Sequence, residues 1–376
     1  MTLSPRRLAL ATLDRQLLLE RRPLDVTEAV RRLCALQAQS PASPYLALWN
    51  RVRDFAPQDL DAAFAEGRIV KASLMRITLH AVTAEDHPAF HAAMVSSLRA
   101  SRLYDRRFTD TGLTAADADA LLADLTPYLQ EPRTNAEVEA EVTARIGGDR
   151  QRAWWALRTY APLHHVATGG AWSFGHRNTY RLAPQSRDVT ADEGVRRLLL
   201  SYLRAFGPAT PQDFARFTLL TGKTIRQAVE ELDERIVRIA GSGRTALYDL
   251  PDATVPAEDT PVPPRLLPMW DSSLLAHALP GRFMPAEYRP AAVRRNGDVL
   301  PCLLVDGQVS GVWRAAEDGL ELTAFRRLTA GEWNGLSEEA ERLVNWLADR
   351  DPRVYGRYGH WWDKGLPGVE TRVIKA

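Results

Sequence analysis

Apolar positions recur with helical spacing over residues 5–20, where Leu8, Leu10, Leu13, Leu17 and Leu18 are interleaved with arginines, and the pattern predicts an amphipathic helix. Val30, Leu33 and Leu36 repeat that period up to Gln37-Ala38-Gln39, and Asp25 with Glu28 supplies a capping-box spacing at its start. Pro41 and Pro44 remove backbone donors and bar helix through residue 43, so this second helix is expected to end at the glutamines. The last carbonyls of a helix lack intrahelical partners, and a nearby amide either caps them or points into a cleft. On an ideal helix residues two apart diverge by about 200°, so both glutamines could face one cavity only where the helix unwinds.

Further along, Tyr45–Val52 and Asp59–Ala65 read as short helices, and Val70–Leu74 with Ile77–Val82 as paired strands. A long helix is expected from Ala84 to Arg107, carrying Phe90, Met94, Leu98 and Leu103. Capping boxes at Thr114/Asp117 and Thr134/Glu137 open the next two helices, the second ending at Gly147-Gly148. Asp149 starts a helix through Trp154, Trp155, Leu157 and Tyr160, followed by a hairpin of Leu163–Ala167 and Ala171–His176. Downstream come a leucine-rich helix Glu193–Phe206, a helix opened by Thr210, Pro211 and Asp213, and a third running through Val229, Leu232 and Ile236. Val237–Ile239 and Thr245–Leu250 then pair across Gly241-Ser242-Gly243. Three helices and a two-stranded wing are the order of a winged helix.

The fold class expected is therefore α+β: three tandem winged-helix units over residues 1–110, 111–188 and 189–258, then a C-terminal domain over 259–376. Pro251–Pro264 reads as the linker. Beyond it, strands are predicted at Arg265–Asp271, Ala291–Arg295, Val299–Val305, Gln308–Ala315 and Gly319–Phe325, with turns at Asn296-Gly297 and Asp306-Gly307. A small β-barrel covered by a helix over Ser337–Leu347 is expected from them.

At 376 residues and 45% hydrophobic content the chain has the size of several folded units. Its net charge of +1 does not by itself announce nucleic acid. Lysine occurs only at Lys71, Lys223, Lys364 and Lys375; arginine supplies the other cations, which fits phosphate recognition and equally a GC-rich coding bias. Cys34 and Cys302 are solitary, which argues against a disulfide framework and a zinc site and points to a reducing, cytoplasmic setting. Asp14 and Arg15 cut the first apolar run below signal-peptide length, and no segment has the apolar length of a membrane span.

Arg294 and Arg295 flank the Asn296-Gly297 turn, where they are either an ordinary solvated tip or a probe for a DNA groove. Lys223 and Arg226 begin the third helix of the third unit, a solvated face or a groove-contacting one. His80 shares its strand with Arg76 and Thr78, as a hydrogen-bonded half-buried histidine or as cleft lining. His164-His165 find no third metal ligand at suitable spacing, and Trp154-Trp155 and Trp361-Trp362 read as packing. No phosphate-cradling loop, nucleophile elbow or carboxylate pair is present. No metal or cofactor is called for.

Leu36-Gln37-Ala38-Gln39-Ser40, Arg76-Ile77-Thr78-Leu79-His80, Phe206-Gly207-Pro208-Ala209-Thr210, Leu267-Pro268-Met269-Trp270-Asp271, Leu304-Val305-Asp306-Gly307 and Val312-Trp313-Arg314 together resemble the winged-helix DNA glycosylases with a Gln-x-Gln motif. The resemblance runs from end to end and is strongest to the branch that unhooks interstrand crosslinks of the alkylating antibiotic azinomycin B. A related branch carries an acidic residue where this chain has Gln39. The resemblance implies a monofunctional DNA glycosylase that releases N7-alkylated purines from double-stranded DNA, confers self-resistance, uses Gln37 and Gln39 as catalytic residues, and acts as a monomer. Amides have no useful pKa, so their expected role is to orient water and stabilise an oxocarbenium sugar. A non-catalytic winged-helix DNA-binding regulator is the competing reading from the elements alone.

Overall fold

The computed structural model describes residues 3–147, 152–175, 177–184, 188–241, 245–278 and 281–375. The expected helix terminator Gly148, helix start Asp149, strand end His176 and turn residues Ser242 and Gly243 lie outside the described residues.

The first helix is Pro5–Arg15, with Ser4 as its N-cap. The second, Val26–Arg32, is opened by Asp25, whose carboxylate accepts from the backbone of Thr27 and Glu28. It does not reach the glutamines. Cys34 adopts φ 68, which turns the chain out of the helix, and Leu36–Gln37 becomes a strand paired antiparallel with Leu79–Thr83, Gln37 opposite His80. The reason is packing: alternation sends Leu36 and Ala38 into the core shared with the C-terminal sheet, which a helix through these positions could not do.

Ile69–Ser73 and Leu79–Thr83 form the predicted hairpin, joined by a tight turn over Met75–Ile77. The hairpin continues into a six-stranded antiparallel sheet ordered Leu36–Gln37, Leu79–Thr83, Ile69–Ser73, Leu163–His165, Thr179–Leu182, Arg133–Thr134. Lys71 opposite His165 is the join, so the hairpins expected in the first two units share one sheet. The partner of Leu163–His165 is Thr179–Leu182, not the segment from Ala171. Trp172 and Phe174 from that segment pack instead on Tyr45 and Phe64, with ring centroids 5.2 Å and 4.9 Å apart.

The long helix covers His87–Leu103 and stops before Asp105, which caps a separate turn, Arg106–Thr109. Helices Ala115–Leu125 and Asn135–Ile146 start at the predicted capping boxes, and Arg152–Tyr160 follows. Helices Ala191–Phe206, Pro211–Thr218 and Gly222–Leu232 and the hairpin Val237–Ala240/Ala246–Asp249 keep the predicted order, with Ile236 beyond the last helix. Gly194 lets Ala191–Phe206 lie directly on His87–Leu103: a Cβ there would strike the Ala89 carbonyl and come within 2.8 Å of Ala93 N.

The C-terminal strands form an open antiparallel sheet ordered Glu370–Ile374, Gly319–Ala324, Gln308–Ala316, Cys302–Val305, Arg265–Leu267. It is not the closed barrel expected, because its edge strands, Glu370–Ile374 and Arg265–Leu267, do not pair with each other. The segment from Ala291 is also not a strand. Pro290 begins a helical turn over Arg289–Ala292, and Val293 meets Val299 in a single bridge around the Asn296-Gly297 turn. The covering helix begins at Ala330, on a Thr329/Glu332 capping box, and runs to Ala348. Two buried bidentate ion pairs hold the regions together. Arg51 donates to Asp271 at 2.8 and 2.9 Å, and Arg15 to Asp249 at 2.7 and 2.8 Å. No described helix is long and apolar enough to cross a membrane.

Candidate functional site

An extended chain places residues two apart on the same side, so the strand at Gln37 brings both glutamines onto one face, where the expected helix would have opposed them. Gln37 is 4% exposed, while Gln39 is exposed. Arg76 donates from Nη2 to Gln37 Oε1 at 2.9 Å, and the backbone N–H of Leu79 donates to Gln39 Oε1 at 3.3 Å. Both partners can only donate, which fixes the orientation of each amide: oxygen toward the protein donor. Each oxygen keeps a second lone pair. Neither amide nitrogen has a hydrogen-bond partner among the described residues.

Arg76 organises the site. Its Nη1 donates to the carbonyl of Phe217 at 3.0 Å, and the guanidinium lies 5.1 Å from the Phe217 ring centroid. Nη2 also sits 3.3 Å from His80 Nε2. His80 Nδ1 is 3.1 Å from the Thr78 carbonyl, which can only accept, so the proton is on Nδ1 and Nε2 accepts from Arg76. Burial, reinforced by the charge of Arg76, pushes His80 down to about 3, and it is neutral at physiological pH. Burial first and then the charge of Arg216 lower Arg76 to about 10, which leaves it cationic.

The turn that delivers Arg76 is strained. Arg76 and the β-branched Ile77 have φ of 53 and 59, a region costing side-chain-bearing residues on the order of 1–3 kcal/mol. Thr78 is spent on this turn, its Oγ1 donating to the Met75 carbonyl at 3.0 Å. Gln37, Arg76 and His80 are thus brought together as the strand pattern suggested, whereas Thr78 supports from behind. Gln37 also borders a recess lined by Ser43, Met269, Trp270 and Ser272 that has no room for a water molecule, so no base pocket is preformed there. The larger cavities lie elsewhere. One of about 810 Å³ is lined by Asp14, Arg32, Arg204, Arg235 and Asp252 among others.

The remaining expected contacts are dispersed. Lys223 and Arg226 are exposed on Gly222–Leu232, and no described contact links them to the glutamines. Arg294 is drawn back from the turn, its guanidinium 5.2 Å from the Trp361 ring centroid and Nη2 3.4 Å from the Trp361 carbonyl, which leaves Arg295 as the exposed cation there. His164 Nε2 lies 3.2 Å from His87 Nδ1, in a buried pair away from the glutamines. Sequence reasoning missed the Phe217 carbonyl, Arg216 and Arg289. Nothing in local spacing links residue 76 to 217, and only a tertiary contact could reveal them.

The architecture matches a solved structure described as Streptomyces sahachiroi DNA glycosylase AlkZ, with a TM-score of 0.78 at 22% sequence identity, covering 94% of this chain and 98% of that one. In sequence, the chain is 25% identical over 336 residues to the interstrand DNA cross-link repair glycosylase of Streptomyces sahachiroi, spanning 83% of this chain and 88% of that protein. The profile of the family described as DNA glycosylase AlkZ-like matches residues 30–346, a stretch that includes both glutamines, Arg76 and His80. By that match over most of its length, the chain belongs to the AlkZ-like DNA glycosylase family.

Proposed function

We propose that this DNA repair glycosylase hydrolyses the N-glycosidic bond of N7-alkylated purines and unhooks bulky interstrand crosslinks, with Gln37 and Gln39 acting at the reacting sugar. The observation that carries the reading is the pair of amides on one strand face, one clamped by Arg76 and the other by the backbone N–H of Leu79. The crosslink specificity follows the name of the Streptomyces sahachiroi relative. The recess beside Gln37 favours it too, since a crosslinked base cannot be swung into a tight pocket.

A purine alkylated at N7 carries a positive charge, so the C1′–N9 bond electrons leave with the base and neutralise it without a strong acid. Positive charge passes to the sugar. The free lone pairs of the two amide oxygens stabilise that charge and accept a hydrogen bond from the attacking water, whose oxygen forms the new C1′–O bond and whose proton goes to solvent. Neither amide takes the proton, because neither titrates usefully. Arg76 and neutral His80 hold Gln37 in place and take no part in proton transfer.

We read the chain as three winged-helix units, residues 1–110, 111–188 and 189–258, presenting double-stranded DNA to the glutamine face, with the C-terminal sheet domain over 259–376. The helix–helix–helix–hairpin order of 191–249 supports this for the third unit. Lys223, Arg226 and Arg295, exposed on its surface, are the contacts we assign to the duplex, with Arg294 bracing the hairpin. The test is incubation of duplex DNA containing N7-methylguanine with wild type and with the Gln37→Ala/Gln39→Ala pair, followed by mass analysis of free base. Wild type should release the base, and the variant should bind the duplex without releasing it. Base release by the variant would remove the glutamines from the mechanism. A regulator would instead release nothing and protect one defined sequence.

A further inference from the structure

We infer that Arg216 and Arg289 bind backbone phosphates of the damaged strand beside the Gln37 site, forming with Arg76 a three-guanidinium anion grip; this rests on the glycosylase reading. Arg216 is exposed on helix Pro211–Thr218, next to the Phe217 carbonyl that anchors Arg76 at 3.0 Å. Arg289 opens the turn Arg289–Ala292, where its neighbour Tyr288 is fixed against Phe325 with ring centroids 5.4 Å apart. The two segments are held in one body: Asp213, at the start of the helix, accepts from the backbone N–H of Ala278 at 2.8 Å.

Arg216 and Arg289 make no hydrogen bond or ion pair with any described residue. Elsewhere the fold neutralises its enclosed guanidiniums, as Arg15 does with Asp249 and Arg51 with Asp271. Here it does the reverse. The charge of Arg216 bears on both Arg76 and Arg289, lowering each after the effect of burial, and no carboxylate contributes to either. Clustered cations without a counter-ion repel one another, and a guanidinium fork matches phosphate oxygens bidentately, so an arriving phosphate relieves the repulsion. The position beside Gln37 makes the phosphates bordering the damaged nucleotide the ligand.

The experiment measures dissociation constants of wild type, Arg216→Gln/Arg289→Gln and Arg216→Lys/Arg289→Lys for an unmodified duplex across a salt series, with thermal melts to confirm folding. Each phosphate contact contributes about 0.9 to the slope of log affinity against log salt, so the glutamine pair should flatten the slope by about 1.8. The lysine pair, which keeps the charge, should restore most of it. A slope unchanged by the glutamine pair, or loss of slope equally in the lysine pair, would overturn the grip. Release of N7-methylguanine by wild type is followed in parallel. A flattened slope without any wild-type release would sink the glycosylase reading and leave the phosphate grip standing.

Discussion

Arg76 and Gln37 are separated by 39 positions in the chain, yet Nη2 of one donates to Oε1 of the other at 2.9 Å. The bond sets which end of the amide faces the reaction. It also accounts for the left-handed backbone at Arg76 and Ile77, because the turn must project Arg76 toward both Gln37 and the Phe217 carbonyl. A hydrogen bond from a charged donor contributes roughly 1.5–3 kcal/mol. If most of this acts in the transition state, Arg76→Gln should slow single-turnover base release about 10- to 100-fold. Arg76→Lys should recover only part of the loss, since one ammonium cannot span Gln37, His80 and the Phe217 carbonyl. Rapid-quench kinetics on N7-methylguanine DNA at saturating enzyme checks this, and a wild-type rate in both variants would contradict the assignment.

The pH dependence of the chemical step should be flat between about 5 and 8. Amides do not titrate in that range. His80 is held at about 3 by burial and by Arg76, and Arg76 stays charged at about 10. Single-turnover release across this range is the measurement. A limb near the ordinary imidazole value of about 6.5 would mean that a histidine moves a proton in the rate-limiting step.

The parts of the fold legible in the sequence are those set by local chemistry. The boxes at Thr114/Asp117, Thr134/Glu137 and Thr210/Asp213 all form as spaced. The Asp306-Gly307 turn places Val305 opposite Gln308. What could not be read was settled at a distance. Val30, Leu33 and Leu36 keep a helical period, yet Leu36 belongs to a strand because its ladder partner, Ala81, comes much later in the chain. The last strand, Glu370–Ile374, completes the sheet only by pairing with Gly319–Ala324. At the site, Gln37, Arg76 and His80 lie on paired strands and could be grouped from pattern. The 141-residue separation of Arg76 from the Phe217 carbonyl carries no local signal, and with it Arg216 and Arg289 stay hidden.

Acid should destabilise the fold before its carboxylates titrate. His80, His164 and His277 are held at about 3, about 4 and about 3, in each case by burial first and then by a neighbouring arginine, respectively Arg76, Arg181 and Arg282. Released by unfolding, a histidine takes up its proton near pH 6.5. Below that value the unfolded state binds protons that the folded state refuses, so the full stability present above about pH 6.5 falls as pH drops toward 4. Urea unfolding at pH 7, 6, 5 and 4 should show the decline, and it should be shallower in His80→Asn, which can still donate to the Thr78 carbonyl. Identical slopes for the two proteins would show that His80 is not held neutral.

The Arg51–Asp271 pair makes the Leu267–Asp271 motif structural rather than chemical. Both side chains are almost wholly buried, at 1% and 0% exposure, and Asp271 also accepts from the backbone and hydroxyl of Ser273. Asp271→Ala strands a guanidinium in the interior, and breaking such a pair costs roughly 3–5 kcal/mol. Arg51→Met/Asp271→Leu removes both charges, and replacement of a buried pair by apolar residues of similar volume is often close to neutral. The double variant should therefore be more stable than Asp271→Ala, although it also gives up the bond from Arg51 to the Ala47 carbonyl at 3.0 Å. Denaturant unfolding at pH 7 separates the cases. A loss below about 1 kcal/mol in Asp271→Ala would mean that water reaches Arg51 and the pair behaves as a surface ion pair.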